Sequence, residues 1–367
     1  MKNETMQALV WIGPRRMMER AEPMPAPAPG EVLISVGAVG ICGSELSGFL
    51  GHNSLRVPPL IMGHEGAGRV VQAAGETFAT GDLAAAGARV TFNPLIVCGA
   101  CDRCLAGRSN LCRQRRLVGA HRPGAFAQYV AVPARQCYPL PERLSLVAGS
   151  LAEPLACSVR AVALAGVQPH QRLLILGAGP IGLCTLAVAR ARGVEQIIIS
   201  DVAPQRLKVA LRWGARDAIN AREQDVAAFV QERYPGGVDC VIDAVGATPV
   251  RAQAIRSVLP GGRVVLIGLH DEESVLPANY LIRQEIAITG SFAYTETDFT
   301  QAIGLLVRGV VRPSSDWLEE RPLSDGPSAF AELVDGKARA AKIVLTMDAP
   351  VNGPDASSAF SPKRENP

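Results

Sequence analysis

At 367 residues, 48% hydrophobic and 19% charged, the chain is long enough for two domains with real cores and too apolar to be disordered. A formal net charge of +3 without long basic runs argues against a nucleic-acid surface, and the one local cluster, Arg113, Arg115 and Arg116, reads as a solvated face. The most apolar stretch, 173–189, is broken by glycines and a proline and bounded by Arg172 and Arg190, and the N-terminus lacks an apolar core with a small-residue cleavage site, so no membrane partner is expected and the cytoplasm is the expected location.

In chain order, the first 150 residues are rich in Gly, Pro and Val. Short alternating runs at 31–36, 68–71 and 127–130 predict many short strands in a compact barrel-like unit. Pro23, Pro25, Pro27 and Pro29 impose an extended approach. From residue 151 the texture changes. Strands are predicted at 173–176, 196–200, 238–243 and 263–267, and helices at 181–192, 204–213 and 249–258. That alternation means βαβ units and a parallel sheet, hence an α/β fold beside the first domain. A helix at 298–308 and a strand at 342–345 are expected to return to the first domain. The expected divisions are 1–154, 155–292, 293–347, and a disordered tail at 348–367 made of Pro, Ser, Asn and Asp.

Cys98, Cys101, Cys104 and Cys112 lie in CGACDRCLAGRSNLC, with gaps of two, two and seven residues. Such spacing lets four thiolates wrap one tetrahedral Zn²⁺, a structural site in a lobe at about 93–116. A disulfide framework fits poorly, because the chain is long and its nine cysteines are an odd number.

Residues 173–182 read LLILGAGPIG. Gly177, Gly179 and Gly182 fit G-x-G-x-x-G between a strand and a helix, with Pro180 and Ile181 at the helix start. The first glycine allows the tight turn, the second admits the pyrophosphate, and the third lets helix and strand pack closely. The helix N-terminus offers free N–H groups to phosphate. Asp201 ends the next strand, where a carboxylate binds the adenosine ribose hydroxyls and repels a 2′-phosphate. With Arg206 the nearest base, the expected cofactor is NAD(H) rather than NADP(H). Gly268, after the strand 263–267, completes the cofactor set.

Two further motifs read GICGSE (40–45) and GHEGAG (63–68). Cys42, His64 and a carboxylate supply S, N and O ligands to a second Zn²⁺ with a position left open for water or substrate. Singly, each residue reads as an ordinary core cysteine or a satisfied polar pair.

Taken together, the cysteine lobe, GICGSE, GHEGAG, AEPLAC and the LGAGPIG…SD pair resemble, in the same order, the zinc-dependent medium-chain dehydrogenases. The match runs over about residues 6–347. The nearest likeness is to the polyol branch of sorbitol, galactitol-phosphate and threonine dehydrogenases. The resemblance implies a GroES-like catalytic domain, a Rossmann domain and a cleft between them. It implies that Cys42 and His64 bind a reactive zinc, with Glu65 a ligand or close neighbour, and that the cysteine lobe forms a surface knuckle in a homodimer or homotetramer. The next ligand is either Glu153, which matches the polyol branch, or Cys157, which matches ethanol-type relatives. Glu153 is favoured, since a carboxylate has little other reason to sit in that apolar stretch.

The same likeness assigns Ser44 to accept the alcohol proton. The relatives' relay histidine is replaced by Ser47, so the relay ends in water, in the cofactor ribose or at His52. Glu45 stands where the acid is more commonly Asp. Arg56 and Arg122 lie in loops and read as surface arginines, the alternative being contact with a phosphate or carboxylate. The expected reaction is reversible oxidation of a secondary alcohol to a ketone, with Zn²⁺ and NAD as cofactors and a small-molecule alcohol as the partner. A threonine-type dehydrogenase is disfavoured by Ser47. A non-catalytic NAD-binding scaffold is disfavoured by the joint presence of Cys42, His64, Glu65 and Glu153.

Overall fold

A computed structural model describes residues 5–347. The tail expected at 348–367 lies outside the described residues. The first domain is built on a seven-stranded sheet whose hub is Glu31–Gly40. That strand pairs antiparallel with Glu65–Gln72, Tyr129–Pro133 and Lys342–Thr346. With neighbours on several sides, it buries residues from both faces rather than alternating strictly. Arg89–Phe92 and Cys137–Pro139 extend the sheet on one side. On the other, Leu318–Pro322 pairs parallel with Lys342–Thr346. A smaller sheet of Arg16–Pro23, Thr5–Gly13 and Leu60–Ile61 is tied to the first by the Leu9 N–H donating to the Phe126 carbonyl. The chain's last described strand thus sits inside the first domain's sheet, which is how the C-terminal segment returns.

The second domain is one sheet of six parallel strands. In spatial order they are Asp217–Asn220, Gln196–Asp201, Arg172–Leu176, Val238–Asp243, Val258–Leu266 and Ala287–Gly290. Counted along the chain this is 3-2-1-4-5-6, the doubly wound dinucleotide-binding order. Arg172–Leu176 and Gln196–Asp201 are buried along nearly their whole length, as expected of strands with helices on both faces. The strand order reverses between Arg172–Leu176 and Val238–Asp243, and in doubly wound sheets ligands bind at the carboxyl ends of the strands at that point. The elements Asp217–Asn220, Val226–Arg233 and Ala287–Gly290 carry too few apolar residues in period to stand out in the sequence.

The two domains are joined by the helix Ala152–Ala165, which runs through the boundary expected at 154/155 and stops at Gly166 in the left-handed conformation (φ 62°). Leu151, Leu155, Val159 and Val162 are sealed. They belong to one core cluster that runs from Ala38 and Ala67 of the first domain to Ile175 and Leu183 of the second. Each such side chain contributes on the order of 2 kcal/mol by leaving water. The helix thus links the two cores, and its first turn carries Glu153. Among the described residues no helix is long and apolar enough to cross a membrane.

Candidate active site and cofactor crevice

Cys42 ends the run out of the hub strand and precedes the helix Gly43–Phe49. His64 and Glu65 lie where the neighbouring strand begins. Pairing of Gly40 with Glu65 therefore brings the two motifs together, and one ligand atom each from Cys42, His64 and Glu65 falls within 4.8 Å of the others. Ser44 is the second residue of the short helix and donates to Cys42 Sγ at 3.5 Å.

Glu45 organises this group. It is fully buried. One oxygen accepts from the Cys42 N–H at 3.1 Å and the other from the Gly63 N–H at 2.8 Å. The second oxygen also lies 2.8 Å from His64 Nδ1. A carboxylate on Nδ1 fixes the proton there and leaves Nε2 as the free ligand atom. Burial pushes the Glu45 carboxyl up, but His64, Arg56 and the Cys42 N–H outweigh it and leave it below the usual range. Burial lowers His64 in turn, yet Glu45 and Cys42 hold it well above its ordinary value in the metal-free chain. The sequence showed Glu45 only as an unusual acid in the motif.

Glu65 has a partner that sequence reading missed. Lys342, from the returning strand, forms a buried ion pair with Glu65 Oε2 and donates to the Ile41 carbonyl at 2.8 Å. The visible signal was a lysine opening the otherwise apolar run KIVL. Glu153 occupies the first turn of the joining helix and lies outside the close trio. Desolvation raises its carboxyl to about 7, with Glu65 adding to the rise while His64, the Tyr294 hydroxyl and Lys342 pull the other way. Cys157, one turn on, lies with Sγ 3.8 Å from Glu153 Oε1, and burial pushes its thiol well above the ordinary value. Both residues face the site beside the trio.

The donor chemistry fits zinc. The trio offers sulfur, nitrogen and oxygen, with Glu153 and Cys157 as further candidate ligands. In the lobe, Sγ–Sγ separations are 3.9 Å for Cys98–Cys104, 3.6 Å for Cys101–Cys104, 3.9 Å for Cys101–Cys112 and 3.5 Å for Cys98–Cys112. A tetrahedron with Zn–S bonds of about 2.3 Å has edges of about 3.8 Å. Backbone N–H groups pull Cys101 down to about 6, whereas burial and its neighbouring thiols raise Cys104 to about 12.

The remaining residues were mixed in outcome. Ser47 lies on the short helix, and its carbonyl accepts from the His52 N–H. The His52 side chain is exposed and not on Ser44. Arg122 is committed to Glu31 and the Ala131 carbonyl, so a substrate contact for it is not what the structure shows. Arg56 is not a surface arginine at all. It is buried, and its Nη2 donates to Ser44 Oγ at 3.3 Å.

In the crevice, Gly177 turns with φ 95° after the first strand. A Cβ on Gly182 would run into the Gly177 carbonyl, whereas one on Gly179 would meet nothing within 4 Å. The third glycine is thus required by packing, and the second borders open space where phosphate is to lie. Pro180 and Ile181 open the helix Pro180–Ala191 at the same edge. Asp201 accepts from the Ala178 N–H at 2.7 Å and the Ala203 N–H at 2.8 Å, with Arg206 Nη1 3.9 Å away. Gly268 packs against the backbone of Val245 and Gly246 across the reversal point.

Comparison with known proteins places the chain in a family. Residues 28–142 match the alcohol dehydrogenase GroES-like domain, and residues 180–308 match the zinc-binding dehydrogenase domain. The chain is 32% identical over 351 residues to a sorbitol dehydrogenase of Bacillus subtilis, covering 93% of this chain and 97% of that one. It is 35% identical over 283 residues to an L-idonate 5-dehydrogenase of Vitis vinifera, covering 75% and 76%. The crystal structure of a zinc-binding dehydrogenase from Sinorhizobium meliloti bound to NADP superposes with a TM-score of 0.84 at 32% identity, covering 94% of this chain and 99% of that one. The chain therefore belongs to the zinc-dependent medium-chain alcohol and polyol dehydrogenases, a family of nicotinamide-linked oxidoreductases.

Proposed function

We propose that this dehydrogenase reversibly oxidises a secondary hydroxyl of a polyhydroxylated substrate to a ketone, uses NAD⁺ in preference to NADP⁺, and holds two zinc ions per chain. The observation that carries the reading is the convergence of Cys42, His64 and Glu65 with Ser44 in hydrogen-bond contact. When bound at the trio, zinc supplies Lewis acidity toward the alcohol oxygen, and the nicotinamide takes the hydride. The chain's residues do the rest. Glu45 orients the imidazole, Lys342 steadies Glu65, and Ser44 receives the alcohol proton and passes it to solvent. Ser47 offers no base on this path.

The preference for NAD⁺ rests on Asp201, whose carboxylate lies beside the glycine turn and favours a ribose diol over a 2′-phosphate. The Sinorhizobium relative was crystallised with NADP, so the assignment depends on this chain's own acid. A homodimer or homotetramer is supported by the edge strand Ala287–Gly290, paired on one side among the described residues, with Leu269, Val275 and Ile282 exposed nearby. Clustered thiols suit a reducing compartment, the cytoplasm.

The test combines metal analysis with NADH absorbance on a panel of polyols, polyol phosphates, hydroxy acids and threonine. Two zinc ions per chain and NAD⁺-dependent turnover are expected. One zinc or none, with no NADH formed from any alcohol, refutes the reading and restores the scaffold alternative.

A further inference from the structure

The loop after the short helix carries a charge that the reaction as described does not use. Arg56 is 4% exposed, yet among the described residues it forms no ion pair within 4.0 Å. Glu45, a buried acid whose carboxyl the Arg56 charge helps to lower, spends its hydrogen bonds on Cys42, Gly63 and His64. Arg56 Nε is sealed from solvent with no hydrogen-bond partner. Its one side-chain hydrogen bond among the described residues is from Nη2 to Ser44 Oγ, at 3.3 Å, and Ser44 in turn contacts Cys42 Sγ. The guanidinium therefore stands one hydroxyl away from the place where the alcohol oxygen is to sit.

Burying an arginine without a direct ion pair is costly even with the Glu45 charge close enough to act on it, and a sealed N–H without an acceptor adds to the cost. The surrounding structure makes room for it all the same. A Cβ on Gly48 would meet Arg56 Cδ at 2.6 Å and Nε at 3.4 Å, so the short helix carries a glycine where the arginine stem crosses it. A guanidinium cannot accept a proton, so Arg56 does not replace the missing relay histidine as a base. Its planar terminal edge matches an oxyanion.

Resting on the function proposed above, we propose that Arg56 is a specificity-determining residue that binds an anionic substituent of the alcohol, a carboxylate or a phosphate ester, held within a few bonds of the carbinol carbon. The short reach follows from the geometry, since the carbinol oxygen and the anion are to contact neighbouring atoms, Ser44 Oγ and the guanidinium. The favoured substrates are hydroxy acids or polyol phosphates rather than neutral polyols.

The experiment compares kcat/KM at saturating NAD⁺ for neutral polyols, the corresponding hydroxy acids and the corresponding polyol phosphates, in the zinc-loaded wild type and in Arg56→Met and Arg56→Lys. The wild type is expected to prefer one anionic class at least tenfold, and which class wins separates carboxylate from phosphate. Hydrogen bonds to a charged group contribute about 1.5–3 kcal/mol, so Arg56→Met should cut the anionic-to-neutral ratio of kcat/KM by roughly 10- to 100-fold. Arg56→Lys should fall between. A merely structural arginine would lower both classes together and leave the ratio fixed, and that result overturns the proposal. So does a wild type with no preference for anionic alcohols. Should Arg56→Met not fold, inhibition of the wild type decides: acetate or inorganic phosphate should compete with the alcohol at saturating NAD⁺, and absence of such competition counts against the site. Absence of turnover on every alcohol, by contrast, refutes the dehydrogenase reading and not the role of Arg56 within it.

Discussion

Replacing Lys342 by Met tests how the metal site is held together. The ammonium and the Glu65 carboxylate are both almost wholly sealed, and Lys342 also donates to the Ile41 carbonyl at 2.8 Å. Desolvation alone would depress the lysine, yet Glu65, Cys42 and Glu45 keep it above its ordinary range. Methionine keeps a stem of similar length and removes the charge together with the hydrogen bond to the Ile41 carbonyl. It leaves Glu65 as a buried anion without its cation, a loss that costs about 3–5 kcal/mol when one partner of a sealed pair is deleted. For a domain of this size, each kcal/mol lowers Tm by about 2–4 °C, so a fall on the order of 10 °C is expected. The assay is thermal unfolding by circular dichroism with the lobe zinc retained and the Cys42 site stripped, because metal there would offer the orphaned carboxylate another partner. Glu65→Leu placed on Lys342→Met should recover most of the loss, since an apolar pair avoids both desolvation terms. A single variant that loses less than about 1 kcal/mol, or a double variant as unstable as the sum of the singles, would refute the reasoning.

Other outcomes follow from the same geometry. Glu153 titrates near 7 in the folded metal-free chain, above the ordinary 4.5, so folding favours its protonated form. On its account stability is full below about pH 4.5 and falls as pH rises through 7, by up to about 3 kcal/mol. Glu153→Gln should therefore match the wild type at pH 4.5 and exceed it at pH 8 in urea unfolding, and parallel curves at both pH values would remove the assignment. Zinc content after dialysis separates the two ligand candidates. Glu153→Ala is expected to retain less metal than Cys157→Ala, and the reverse order gives the role to the cysteine. Asp201→Ser should weaken NAD⁺ and improve relative use of NADP⁺, each read from KM; an unchanged preference shows that the carboxylate does not select the cofactor.

Much of this protein was written locally. The cysteine spacing declared the lobe because its four ligands lie within fifteen consecutive residues and a short loop can close around one ion. The glycine turn and Asp201 were legible because a strand, a turn and a helix in fixed succession already place them together. Strongly apolar segments such as Arg172–Leu176 and Pro180–Ala191 announced themselves through periodicity. Weakly apolar ones such as Asp217–Asn220 did not, because their pairing depends on a neighbour and not on their own composition.

What tertiary structure alone decided is the network around the reactive site. Lys342 is 277 residues from Glu65, and only the return of the last strand beside the hub strand makes them a pair. Glu45 became the orienting carboxylate because strand pairing carried His64 to it, and Arg56 left the surface because the loop folds back over Gly48 onto Ser44. Spacing along a chain specifies groups that share one turn or loop. The partners that set their charge and orientation come from distant segments, and packing chooses them.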